Sequence, residues 1–146
     1  MTLEKIISIA GKPGLYEIIA QSKGGFIVGN IVDKKRFPIN AAHNVSALND
    51  IAIYSYTEEI PLRNIFKDLA EKFDGKSTVS HKADEKEIVT LFREVLPEYD
   101  EERVYVSNIR KVIQWYNLLV SAGLDFSSIN NEEEEVETEE TASEEN

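Results

Sequence analysis

The spacing of apolar and polar positions changes once along the chain. After a short amphipathic segment, Leu3–Ala10, the period is two through about residue 56, the repeat of a half-buried strand. Leu15–Gln21 and Phe26–Val32 show it best, and Ser22-Lys23-Gly24-Gly25 between them suits a hairpin connection. Lys12-Pro13-Gly14 reads as a turn, with Pro at its first central position and Gly where φ must be positive. Arg36–Ile39 reads as a short edge strand carrying Pro38, and Asp50–Tyr56 as a further strand. Gly29 interrupts an apolar run and marks a bend. Several short strands so close together predict a small, strongly bent β-barrel of the SH3-like or Sm-like kind.

From Pro61 the period becomes 3.6. Leu62, Ile65, Phe66, Leu69, Ala70 and Phe73 recur at helical spacing, and Asp74-Gly75 ends that helix. Lys76–Ala83 is polar and reads as a mobile loop. Asp84 and Glu87 then stand at capping-box spacing before a second helix that Pro97 ends. A third helix runs from about Asp100, with acidic residues in its first turn, to Gly123. Its stripe is Tyr105, Ile109, Val112, Ile113, Tyr116, Leu119 and Val120, while Trp115 lies on another face with Val104, Leu118 and Ala122. The fold class is therefore α+β: a barrel over residues 1–60, a three-helix part over 61–130, and an acidic tail over 131–146.

Particular stretches carry a resemblance. They are Ile7-Ser8-Ile9-Ala10-Gly11-Lys12-Pro13-Gly14-Leu15-Tyr16, Asp50-Ile51-Ala52-Ile53-Tyr54, Pro61-Leu62-Arg63, Val95–Asp100, Arg103–Ile109 and Trp115-Tyr116-Asn117. Together they resemble a family of uncharacterised bacterial proteins, over roughly Met1–Asp125. The resemblance implies a small β-barrel-like N-terminal part and a helical C-terminal part, both domains of unknown function. It carries no activity, cofactor or catalytic residue, and the tail lies outside it.

Composition narrows the chemistry. The 146 residues include no Cys, which removes disulfides, thiolate metal sites and cysteine nucleophiles. No uncharged apolar run approaches the ~20 residues of a spanning helix, so the expectation is a cytoplasmic protein with no membrane contact. The net charge of −11 is concentrated at one end. Nine Glu fall within residues 131–146, and removing them from the 27 acidic residues leaves 18 against 16 Lys and Arg. A Glu-rich segment with only Val136 and Ala142 as apolar residues is expected to stay disordered.

Tests for catalysis fail one by one. There is no Gly-x-Ser-x-Gly, and His43 and His81 stand in different halves with no sequence-local partner to orient either. Gly11-Lys12-Pro13-Gly14 is too short for a phosphate-binding Walker loop, and Gly24-Gly25 opens a strand. Asp84, Glu85 and Glu87 near His81 suit a helix start better than a metal site, and Asp100, Glu101 and Glu102 do the same for the third helix. The expectation is a non-enzymatic protein without catalytic residues, cofactor or metal.

Two binding readings remain. Lys34-Lys35-Arg36 beside Phe37, with His43 and Asn44 in the following loop, offers cations for phosphate, a ring for stacking and hydrogen bonds for bases, the means by which small barrels hold RNA or DNA. Residues 1–60 hold six basic and six acidic residues, so no strongly basic face follows from counting. The preferred reading is a module for a protein partner or a second copy of itself, with Tyr99, Tyr105, Trp115 and Tyr116 as the candidate surface. The competing role for these aromatics is core packing. The tail, folding back onto Lys34, Lys35 and Arg36, would compete with an anionic ligand, so its deletion should strengthen anion binding, more at low salt than at high.

Overall fold

In the computed structural model, which describes residues 2–40 and 43–129, the strands are Ile6–Ile9 (β1), Lys12–Ser22 (β2), Gly25–Asn30 (β3), Arg36–Asn40 (β4), Val45–Ala47 (β5), Ala52–Tyr54 (β6) and Glu59–Pro61 (β7). The helices are Leu62–Lys72 (α1), Glu85–Val95 (α2) and Val106–Ala122 (α3), with 3-10 turns at Leu3–Lys5, Leu48–Asp50 and Phe126–Ser128. The acidic tail lies outside the described residues.

β1 to β5 form one antiparallel sheet in the order β4-β3-β2-β1-β5, and β6 pairs with β7 in a separate hairpin. The sheet is open: β4 and β5 are its two edges, so it is not the closed barrel expected. It is nevertheless strongly curved. The register slips between Ile7 and Ile9 in β1 and between Ile18 and Ala20 in β2, and such bulges sharpen local twist. The bend sits there, and Gly29 remains in regular register opposite Glu17 and Arg36. A Cβ on Gly29 would come within 3.2 Å of the Ile19 side chain, a tight approach that the exposed Ile19 end can relieve by a small shift. At Gly25 the fit is tighter still, because a Cβ there would collide with the Ile39 carbonyl of β4.

Two apolar clusters divide the work. The smaller lies on the concave side of the sheet, with Ile7, Ile9, Tyr16, Val28 and Ile39 buried and Ile18, Phe37 and Ala47 packed against them. The larger lies on the other side and belongs to both halves of the chain. Leu3, Ile6, Leu15, Ile31 and Leu48 enter it from the sheet half, and Ile53, Phe66, Phe92, Val112, Trp115 and Tyr116 from the helical half. Alternation along β1 sends Ile7 and Ile9 to one cluster and Ile6 to the other. A boundary near residue 60 thus separates two periodicities and leaves one core spanning both.

The helices follow their sequence signals with shifts at the ends. α1 starts one residue after Pro61 and stops before Asp74 and Gly75, both at positive φ. The Asp84 carboxylate caps α2 by accepting from the Lys86 N–H at 3.1 Å. α3 begins at Val106, later than the acidic run suggests. Asp100 instead ties a turn by accepting from the Glu102 N–H and pairing with Arg103, and Tyr105 becomes the residue before the helix, its N–H donating to Asn108 Oδ1 at 2.9 Å. The segment read as a mobile loop is pinned along α3. Arg110 Nη1 donates to the carbonyls of His81 and Ala83, both at 2.7 Å, Tyr116 Oη donates to the Lys76 carbonyl at 2.7 Å, and the Asn117 amide bonds Thr78 and Val79. Backbone groups of Lys76, Thr78, Val79, His81 and Ala83 are thus satisfied by α3 side chains.

Candidate functional site

The six residues proposed for anion contact do not form one site. Lys34, at φ +68°, Lys35 and Arg36 are exposed at the β3–β4 turn, which Asn30 Oδ1 organises by accepting from the N–H groups of Val32 and Asp33. His43 and Asn44 lie past the other end of β4, roughly 13 Å along a five-residue strand. The His43 ring is folded onto that end, its Nδ1 accepting from the Asn40 N–H at 3.1 Å. Phe37 is half-buried in the concave cluster, edge-on to Tyr16 at 5.4 Å and beneath Lys12 Nζ at 5.0 Å. Its ring is already engaged by both neighbours.

The aromatic set on the third helix divides differently. Tyr99, Trp115 and Tyr116 are buried in the larger cluster, which corrects their assignment to an outer surface. Tyr99 packs edge-on against Phe92 at 5.1 Å, and Tyr116 lies 5.2 Å from Phe126, with burial raising its phenol pKa. Tyr105 alone stays outside, at 63% exposure. The exposed aromatics that sequence reasoning missed are Phe26, on β3, and Tyr54 and Tyr56. Tyr54 lies under the Arg103 guanidinium at 5.0 Å, and Tyr56 Oη accepts from the Glu101 N–H at 3.4 Å. Alternation along Asp50–Tyr56 was the available signal, since it puts Ile53 inward and both tyrosines outward.

What does converge lies along α3. Ser8 and Ser46 are partners in the β1–β5 register and share a face of the sheet. They line a cleft of about 300 Å³ with Lys12, Asn44, Lys111, Gln114 and Trp115. Lys111 and Trp115 also line a second, more apolar cleft of about 230 Å³, with Ile51, Ile53, Tyr54, Arg103, Val104 and Val112. The two clefts therefore meet at one helix turn, with Lys111 Nζ 6.0 Å from the Trp115 ring. Every charged residue lining either cleft is a cation, and among the described residues neither Lys12 nor Lys111 takes part in an ion pair. The edge of β5 is open beside this groove. Ala10 N–H donates to the Asn44 carbonyl, so the alternating antiparallel ladder turns the N–H and C=O groups of Val45 and Ala47 away from β1.

Among the described residues no three His, Asp or Glu side chains come together as a metal site would require, and no helix is long and apolar enough to cross a membrane. Asp84, weighed as a ligand with His81, is occupied as the α2 cap.

Two family models match consecutive stretches: "Domain of unknown function (DUF5606)" residues 3–48 and "Domain of unknown function (DUF6852)" residues 51–119. The chain is also similar to a protein from Bacteroides vulgatus, a Northeast Structural Genomics Consortium target with a solution NMR structure. The two share 43% identity over 86% of this chain and 91% of that one, with a TM-score of 0.70. The chain belongs to that bacterial family. No curated protein matches it. The two family stretches meet next to the groove, whose walls come from both: Ser8, Asn44 and Ser46 from the first, and Ile53, Lys111, Gln114 and Trp115 from the second.

Proposed function

We propose that this protein is a non-enzymatic cytoplasmic binding module that engages a protein partner, or a second copy of itself, along the groove beside α3. The observation that supports this reading most is the meeting of a polar and an apolar cleft at Trp115 and Lys111, with exposed Tyr54 on the wall of the second and Ser46 of the edge strand β5 on the wall of the first. Tyrosine, arginine and an apolar pocket are the chemistry enriched at interface centres, and an open edge offers backbone pairing to an extended segment. The sheet fits an SH3-like or Sm-like small barrel left unclosed, since all five strands contribute to the concave cluster. The alternative, RNA or DNA binding, loses its ring to Tyr16 and Lys12 and has its hydrogen-bonding groups at the far end of β4 from its cations.

Site-specific photocrosslinking in bacterial cells tests this. A crosslinker at Ser46 or Gln114 is expected to give nuclease-resistant protein adducts that Arg103→Ala weakens, while one at Lys23 in the distant β2–β3 turn gives none. Nuclease-sensitive adducts would favour the alternative. Equal labelling from all three positions, or none from the groove, overturns the proposal.

A further inference from the structure

The two edges of the open sheet present different backbone. In β4, Phe37 pairs with Val28 and Arg36 with Gly29, and just beyond them the Asn30 N–H donates to the Lys35 carbonyl. The alternation of an antiparallel ladder then turns the backbone groups of Arg36, Pro38 and Asn40 outward. Pro38 has no N–H to offer there, and the Asn40 N–H already donates to His43 Nδ1 at 3.1 Å. With Lys34, Lys35 and Arg36 at one end as well, this edge is guarded against a further strand. β5 carries none of these devices. It holds no proline and no charged residue, and the N–H and C=O groups of its outward residues, Val45 and Ala47, have no partner among the described residues.

The two faces beside β5 set the chemistry of what could pair with it. Ser46, opposite Ser8, is on the helical face and lines the polar cleft with Lys111, Gln114 and Trp115. Lys111 is the cation available there, because Lys12 Nζ stands over the Phe37 ring on the concave face. It is exposed and takes part in no ion pair among the described residues, whereas Arg103 in the adjoining cleft already pairs with Asp100. Val45 and Ala47 belong to the concave face, opposite buried Ile9 and Ile7. Ala47 packs against that cluster, and Val45 is 39% exposed. A strand laid along β5 therefore meets a cation on one face and apolar surface on the other.

We propose that β5 takes an extended segment of a partner protein as a sixth, antiparallel strand of the sheet, with an acidic residue opposite Ser46 and an apolar residue on either side of it. Residues directly opposite each other share a face. The acidic side chain thus enters the polar cleft towards Lys111, and its two neighbours extend the concave cluster beyond Val45 and Ala47. Those neighbours exchange N–H and C=O bonds with Val45 and Ala47, while the N–H of the acidic residue points away from β5. A second copy of this chain suits the edge less well. β5 paired with itself about Ser46 would bring no carboxylate to the cleft and would set two Lys111 side chains on one face. The inference rests on the preceding reading and adds the partner's conformation, register and charge.

The test titrates the full chain with the capped peptide Ac-Ser-Thr-Val-Glu-Val-Thr-Ser-NH2 and follows its amide resonances by NMR. At low ionic strength and millimolar peptide, the Val45 and Ala47 amides are expected to move downfield and to exchange more slowly with solvent, while those of Arg36 and Asn40 on β4 stay in place. N-methylation of either peptide valine should abolish these shifts, and N-methylation of the glutamate should leave them. Changing the peptide Glu to Gln should weaken binding by roughly two- to fivefold, the scale of an exposed ion pair, and both Lys111→Ala and added salt should remove that difference. No shift at millimolar peptide, shifts centred on β4, or equal tolerance of all three N-methylated peptides would overturn strand addition at β5. A preference for Glu that survives Lys111→Ala would overturn the acidic assignment. Groove crosslinks to a protein in cells together with an unresponsive β5 edge would overturn this inference and leave the binding reading standing. Peptide pairing in this register without any groove crosslinks would do the reverse.

Discussion

The concave cluster of the sheet and the cluster between sheet and helices differ in what they require of the chain. The first is built wholly by residues 7–47, from strands that follow one another through short connections. The second draws residues from Leu3 to Ile129, so it exists only when both family stretches fold together. A family boundary near residue 50 can therefore mark a change of structural period without marking a physical domain. Its consequence for function is direct, because the groove opens along the same seam.

The strongest way to break this comparison is to cut at the seam. Residues 1–50 alone would expose Leu3, Ile6, Leu15, Ile31 and Leu48, so the isolated fragment is expected to lack a dispersed NMR spectrum and a cooperative melt. Trp115→Ala in the full chain comes next. It should lower stability by about 3 to 5 kcal/mol in denaturant unfolding, the usual range for removing a buried large aromatic, whereas an interface residue would leave the monomer intact. The matched truncation in the concave cluster, Ile39→Ala, should cost about 2 kcal/mol, near the low end for a buried aliphatic, because that cluster is smaller and its site can relax.

Arg110→Ala sharpens the picture on the helical side. It removes two bonds to the 76–83 segment and should cost about 1 to 2 kcal/mol, with faster hydrogen exchange confined to that segment and its neighbours on α3. The smallest expected effect concerns Asp125. Hydrogen bonds from the Ser127 hydroxyl and N–H, at 2.6 and 3.0 Å, hold its carboxyl below the usual carboxylate range. A depressed folded-state pKa adds stability above the unfolded-state value, and that stability disappears as pH falls through the folded one. Ser127→Ala should raise the Asp125 pKa in an NMR titration, and its stability deficit should vanish in acid.

Legibility in the sequence followed the strength of local signals. The 3.6 period identified all three helices, and their ends moved only where side chains had two possible uses. The acidic run from Asp100 serves a turn instead of a helix start, and Tyr105 sits just before α3. The hairpin β2–β3 and the edge strand with Pro38 were readable from turn chemistry and alternation. β1 and β5 were not, because Ile-Ile-Ser-Ile and Val-Ser-Ala are too short to fix a period, and their pairing joins residues far apart in the chain. The groove was unreadable for the same reason. Lys12, Ser46 and Lys111 become neighbours only through tertiary packing, whereas Lys34-Lys35-Arg36 looked like a site because its charges adjoin in sequence. Trp115 and Tyr116 were weighed between surface and core, and the shared cluster decides that they are core.

The most direct test of a single core across the seam is equilibrium unfolding followed by two probes at once. Trp115 fluorescence reports the shared cluster, and the Val28 amide resonance reports the concave one. The account predicts coincident transitions with one midpoint and one slope. Loss of the Trp115 signal while Val28 keeps its native resonance would show that the sheet stands without the helices, and would contradict it.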